Sequence, residues 1–140
     1  MSKFLFLVLF LFSLNVFSGE KEEVLRISQK QEFRAMFGED IVVEYVNSDR
    51  TRVDILTNEY AFEADWAYKW AEAIGQSIFY AAFNDKKPGI ILLVRDIEKE
   101  QRYIDRCKKA IERIIFLNNC EVGNDKKVHE ILLLIEEAAE

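Results

Sequence analysis

The stretch YAFEADWAYKWAEAIGQSIFYAAFNDKKPGIILLV, Tyr60–Val94, decides the fold. It opens on Tyr60–Ala64, aromatic and apolar residues that read as a strand. It closes on Gly89–Val94, GIILLV, a continuous apolar run of the kind buried on both faces of a sheet. Between them a long helix is expected over Trp66–Phe83, broken by Asn84–Gly89. Strand, helix and buried strand in succession predict a right-handed crossover and parallel pairing.

Working outward, Asp40–Val46 (DIVVEYV) and Thr51–Thr57 (TRVDILT) are β-branched runs separated by the turn Asn47–Arg50, which predicts a hairpin. Glu20–Phe37 reads as one helix stopped by Gly38. Glu98–Arg113 is expected to be a further helix, Ile114–Leu117 a short strand, and Lys126–Ala139 a terminal helix. The expected architecture is α/β, a sandwich with a central mixed β-sheet flanked by helices. Half of the 140 residues are hydrophobic, with one proline and five glycines, so a single packed domain is expected rather than a low-complexity chain.

The first residues, MSKFLFLVLFLFSLNVFSGE, carry one charge at Lys3 and then an uncharged apolar run from Phe4 to Phe17. Ser18 is a small residue ahead of Gly19. This is the layout of a secretory signal peptide over residues 1–18, with a domain over 19–140 that is exported, periplasmic or secreted. The run is short for a bilayer span. The net charge of −6 becomes −7 once Lys3 is lost. Such a surface counts against a high-affinity, non-specific DNA coat but not against an enzyme that meets phosphates through a metal ion. In an exported chain Cys107 and Cys120 are expected to form one disulfide.

Chemistry concentrates around FEADW. Strand alternation sends Glu63 and Asp65 to one side, Phe62 and Ala64 to the other. Asp54 lies between Val53 and Ile55 in the neighbouring strand, where an acid is costly unless it is paired or binds a metal. On an ideal helix Asp65, Lys69, Glu72, Gln76 and Tyr80 fall within an arc of about 80°. That polar stripe begins beside Glu63. The plain alternatives are an N-cap at Asp65, a surface Lys69–Glu72 ion pair and a solvated face.

These residues resemble the PD-(D/E)xK nuclease superfamily, with its restriction-endonuclease-like fold, and especially the exonuclease-like branch whose helix carries Q-x-x-x-Y. RVDILT supplies Asp54, FEADW supplies Glu63, and QSIFY supplies Gln76 and Tyr80. The stretch Thr51–Val94 also looks like a group of small exported bacterial proteins of that superfamily. The resemblance implies a metal-dependent phosphodiesterase acting on DNA or RNA. Asp54 and Glu63, with the Ala64 carbonyl, would hold Mg²⁺ or Mn²⁺. The sequence departs from the pattern where the lysine of E-x-K is Asp65. Lys69, one turn later, would take the lysine's catalytic role, with Asp65 as a third metal ligand or as the residue that orients Lys69. Gln76 and Tyr80 would contact substrate or brace the metal ligands, and Glu44 or Glu32 would add a further acid. The competing expectation is a non-catalytic binding protein of the cell envelope on the same fold.

Other chemistries are excluded. His129 is the only histidine, so His-based dyads and multi-His metal sites are ruled out, and its expected role is structural, on the terminal helix. No G-x-G-x-x-G or P-loop is present, and the cysteines lack C-x-x-C spacing. Trp66 and Trp70 are expected in the core, and EKEEVLR, Glu20–Arg26, as a solvated start.

Overall fold

The computed structural model describes residues 19–120 and 130–139. The signal-peptide reading of residues 1–18 and the placement of His129 lie outside them. Two helices, α1 over 19–29 and α2 over Gln31–Phe37, precede three strands, β1 Val42–Val46, β2 Arg52–Leu56 and β3 Tyr60–Trp66. A 3-10 turn, Ala67–Lys69, leads into α3, Trp70–Asn84. Then come β4 Lys87–Val94, α4 Ile97–Cys120 and β5 Leu132–Glu137. The expected α/β class holds. The five strands form one mixed sheet in the order β1-β2-β3-β4-β5. The first two pairings are antiparallel and the last two parallel.

β4 shows why a continuous apolar run belongs in the middle. Ile90, Leu92 and Val94 face one side, with Ala73 and Ile74 of α3 and Ile104, Cys107 and Ile111 of α4. Ile91 and Leu93 face the other, with Val24 and Ile27 of α1 and Phe33 of α2. Each buried side chain of this size contributes about 1.5–3 kcal/mol. Pro88 is tolerated because it pairs with Ala61 of β3 ahead of β5, whose pairing starts at Gly89. Gly89 is required by contact: a Cβ there would overlap the Phe62 ring.

Several expectations are corrected. The first helix is interrupted at Lys30, whose extended backbone (φ −62°, ψ 134°) separates α1 from α2. Ile114–Leu117 continues α4 instead of forming a strand: once a helix is packed, its extension overrides the β-propensity of Ile-Ile-Phe. The terminal segment is the strand β5, not a helix. LLLI offers both periods, and the open edge of β4 selects the extended one. The Cys107–Cys120 disulfide is also overturned. Both residues lie on α4, thirteen positions and so about 20 Å apart along its axis, far beyond disulfide reach. Cys107 is a buried thiol.

The two chain ends meet. Arg26 bridges Glu23 and the carbonyl of Glu137, and Glu23 accepts the N–H of Ala139 at 3.0 Å. Lys30 pairs with Glu136. Among the described residues no helix is long and apolar enough to cross a membrane.

Candidate functional site

The site begins with a break in β2. Its pairing with β1 runs Val42↔Leu56, Val43↔Ile55, Tyr45↔Val53 and Val46↔Arg52. The step skipped is Glu44 opposite Asp54, and Glu44 has a left-handed backbone, φ 54°. Against β3, β2 pairs only at Ile55↔Phe62 and Leu56↔Ala61. Val53 packs with Tyr80 and Ala81 on the α3 side, whereas Ile55 packs with Phe62 and Phe33 on the α1–α2 side. Equal-parity neighbours on opposite faces mean that the strand turns over at Asp54. Its carboxylate enters the gap, and Oδ2 accepts the Ala64 N–H at 2.8 Å.

β3 behaves as its alternation predicts. Tyr60, Phe62, Ala64 and Trp66 enter the α1–α2 core. Glu63 and Asp65, on the opposite parity, are both buried. Ionised, Glu63 would leave Oε2 buried with no donor facing it; protonated, it hydrogen-bonds to Asp54. Burial first, then the charges of Asp54 and Asp65, push Glu63 up to about 10. Burial also raises Asp54, to about 6, restrained by the Ala64 N–H and the Glu63 proton. The pair therefore shares one proton at neutral pH.

Asp65 Oδ1 accepts the Trp66 N–H at 2.9 Å and lies 3.4 Å from Lys69 Nζ. Burial raises Asp65, and the Lys69 charge opposes that shift. The 3-10 turn that carries Lys69 keeps its ammonium beside this end of β3. Glu20, on the first turn described in α1, joins the cluster by hydrogen-bonding to Asp65. Burial and then the Asp65 charge push it up to about 7. Four carboxyl groups thus gather toward the C-terminal end of β3, with the Lys69 ammonium beside Asp65 and the Arg52 charge acting on Asp54.

Glu20 is the acid that sequence reasoning missed. Glu44, one expected candidate, is instead held in looser pairs with Lys21 (3.7 Å) and Arg52 (3.9 Å); Glu32 is exposed on α2. The signal for Glu20 was present: it lies four and seven residues before Val24 and Ile27, on the buried face of α1.

The helical stripe does not persist as one face. The 3-10 turn advances by about 120° per residue and shifts α3 in phase relative to Asp65, and within α3 the sheet covers only the far edge of the stripe. Glu72 and Gln76 are exposed, whereas Tyr80 is buried against Val53 and Ala61. Tyr80 stays near the acids: burial and then the charges of Glu63 and Asp54 raise it. Trp66 is in the core beneath α1 and α2, and Trp70 is partly buried against the core of the opposite face, beneath α3 and α4.

Among the described residues, no three His, Cys, Asp or Glu side chains converge as a group that could hold a metal ion. The donor chemistry of the cluster, all carboxyl oxygen, is of the kind hard cations take. The arrangement is a proton-sharing one, so an ion would have to displace the Glu63 proton. No family model, curated protein or solved structure matches the chain.

Proposed function

We propose that the chain is an exported phosphodiesterase of restriction-endonuclease-like fold that hydrolyses DNA or RNA with Mg²⁺ or Mn²⁺. The observation that carries this reading is the excess of acid over base: Glu20, Asp54, Glu63 and Asp65, the last two buried and the first two half-buried, gather with Lys69 beside Asp65 and the Arg52 charge acting on Asp54. A structural cluster of this sign is costly, whereas a site for a divalent cation uses it. The ion, when bound, would polarise the phosphate and lower the pKa of attacking water. Asp54 and Glu63 would bind it, with Asp65 and Glu20 at its margin. Lys69, held by Asp65, would offset charge developing on the phosphate. Tyr80 would brace the two core acids.

The test is cleavage of single- and double-stranded DNA and RNA by the chain from Gly19, with either ion, beside Asp54→Asn and Lys69→Ala. Loss of metal-dependent cleavage in both variants is expected. Undiminished cleavage by Asp54→Asn overturns the assignment. A second reading, a non-catalytic envelope binding protein on the same scaffold, draws support from the protonated Glu63 and from Asp65 at the usual lysine position. Absence of cleavage by folded protein across ions and substrates selects it.

A further inference from the structure

Helix α4 carries a feature that the acid cluster does not use. Arg102, Arg106, Lys109 and Arg113 are spaced four, three and four residues apart, so they share one face within about 60° of arc and run for about 16 Å. All four are exposed. None forms an ion pair with a described carboxylate. In a chain of net charge −6 this is a concentrated positive stripe.

Aromatic rings interleave with it. Arg102 and Arg106 lie 4.7 and 5.9 Å from the centre of the Tyr103 ring, and Arg113 lies 5.2 Å from that of Phe116. Arg106, Lys109, Arg113 and Phe116 line a groove of about 750 Å³ with Trp70. Trp70 directly follows Lys69, and α4 packs on the 3-10 turn that holds that lysine. Glu98, Asp105 and Glu112, seven apart, form an acidic line on the neighbouring arc of α4, and Glu112 lines the groove together with the cations.

We infer that the Trp70–α4 groove is a binding track for single-stranded nucleic acid, with phosphates on the cation stripe and bases against Trp70 and Phe116. Cations along a line satisfy a phosphate backbone. The exposed Phe116 ring and the half-buried Trp70 ring beside them offer stacking surfaces that unpaired bases can reach. The track feeds the strand toward Lys69 and so deepens the phosphodiesterase reading, on which its direction depends.

The experiment is fluorescence-anisotropy titration of the chain from Gly19 with labelled single-stranded DNA and RNA 12-mers in EDTA, where cleavage plays no part. Binding should weaken with salt at a log–log slope of about −2 to −3, as three to four phosphate contacts give. Arg106→Ala and Lys109→Ala should each flatten that slope by about 0.7. Phe116→Ala should weaken binding several-fold with the slope unchanged. The exposed triple variant R106E/K109E/R113E should keep its circular dichroism and lose at least tenfold in affinity. Equal binding by the folded triple variant overturns the track. So does preference of the wild type for duplex or for anionic phosphatidylserine vesicles over single strands. A wild type that binds through the stripe yet cleaves nothing removes the phosphodiesterase reading and leaves the track standing.

Discussion

Asp54 Oδ2 accepts the backbone N–H of Ala64 at 2.8 Å, where β2 has ceased to pair with β3. One side chain thus satisfies the edge of a broken ladder and places a carboxylate beside Glu63. Structure and chemistry at this position are separable. Asp54→Asn keeps an acceptor for Ala64 and should melt no lower than wild type while losing metal-dependent cleavage by about 100-fold or more. Asp54→Leu leaves the buried N–H unpaired and should lose about 1–3 kcal/mol in urea unfolding.

The acid cluster sets a pH dependence with a definite sign. Glu20, Asp54 and Glu63 all hold their protons more tightly folded than unfolded. Their stabilisation is complete below the ordinary carboxylate range and is lost as pH rises. Asp54 loses it by about pH 6, Glu20 by about 7 and Glu63 by about 10. In EDTA, Tm should therefore fall from pH 5 to pH 9. Glu63→Gln should flatten the fall between pH 7 and 9. A Tm that climbs over this range contradicts the proton sharing. The exposed Asp49 and Asp96, held low by Thr51 and Lys99, act only in stronger acid.

A divalent ion should compete with those protons. Mn²⁺ at pH 8 should raise Tm, and the rise should shrink as pH drops toward 6 and Glu63 becomes harder to deprotonate. Glu63→Gln and Asp54→Asn should each abolish the rise. Differential scanning fluorimetry reads it directly.

Gly89→Ala should destabilise by about 1–3 kcal/mol, since the new methyl group overlaps the buried Phe62 ring. Combining it with Phe62→Leu should recover part of that loss. Chemical denaturation of the two single variants and the double variant measures the coupling.

Burial pushes the Cys107 thiol up to about 11, which keeps it protonated and inert. Iodoacetamide should label it only after unfolding. Dithiothreitol should leave Tm unchanged, unlike in a chain stapled by a disulfide.

The sequence made the β3–α3–β4 unit legible because each part carries an unambiguous pattern. Tyr60–Ala64 is apolar, Gly89–Val94 is continuous, and a helix-length run joins them. Glu63 and Asp65 were placed together by strand parity alone, and Asp54 by its apolar neighbours. What stayed hidden depended on tertiary context. Leu132–Ile135 takes its period from β4, which it pairs with. Gln76 and Tyr80 fall only about 40° apart on α3, but Tyr80 lies at the edge of the stripe where Val53 and Ala61 of the sheet cover it, which no local pattern announces. Glu20 sits in a charge-rich run that reads as solvated until α1 is docked against the sheet.

The seam between α1 and β5 bears on how the fold is reached. Arg26 to Glu137 and Glu23 to Ala139 join residues 111 and 116 positions apart. Closures of that span form late, because the intervening loop must be ordered before they contribute. A chain threading N-terminus first from a ribosome or a translocation pore holds its first helix without its polar anchors until the final residues emerge. A stop codon just before Leu132 would therefore yield an unclosed sheet, with β4 left as a bare edge.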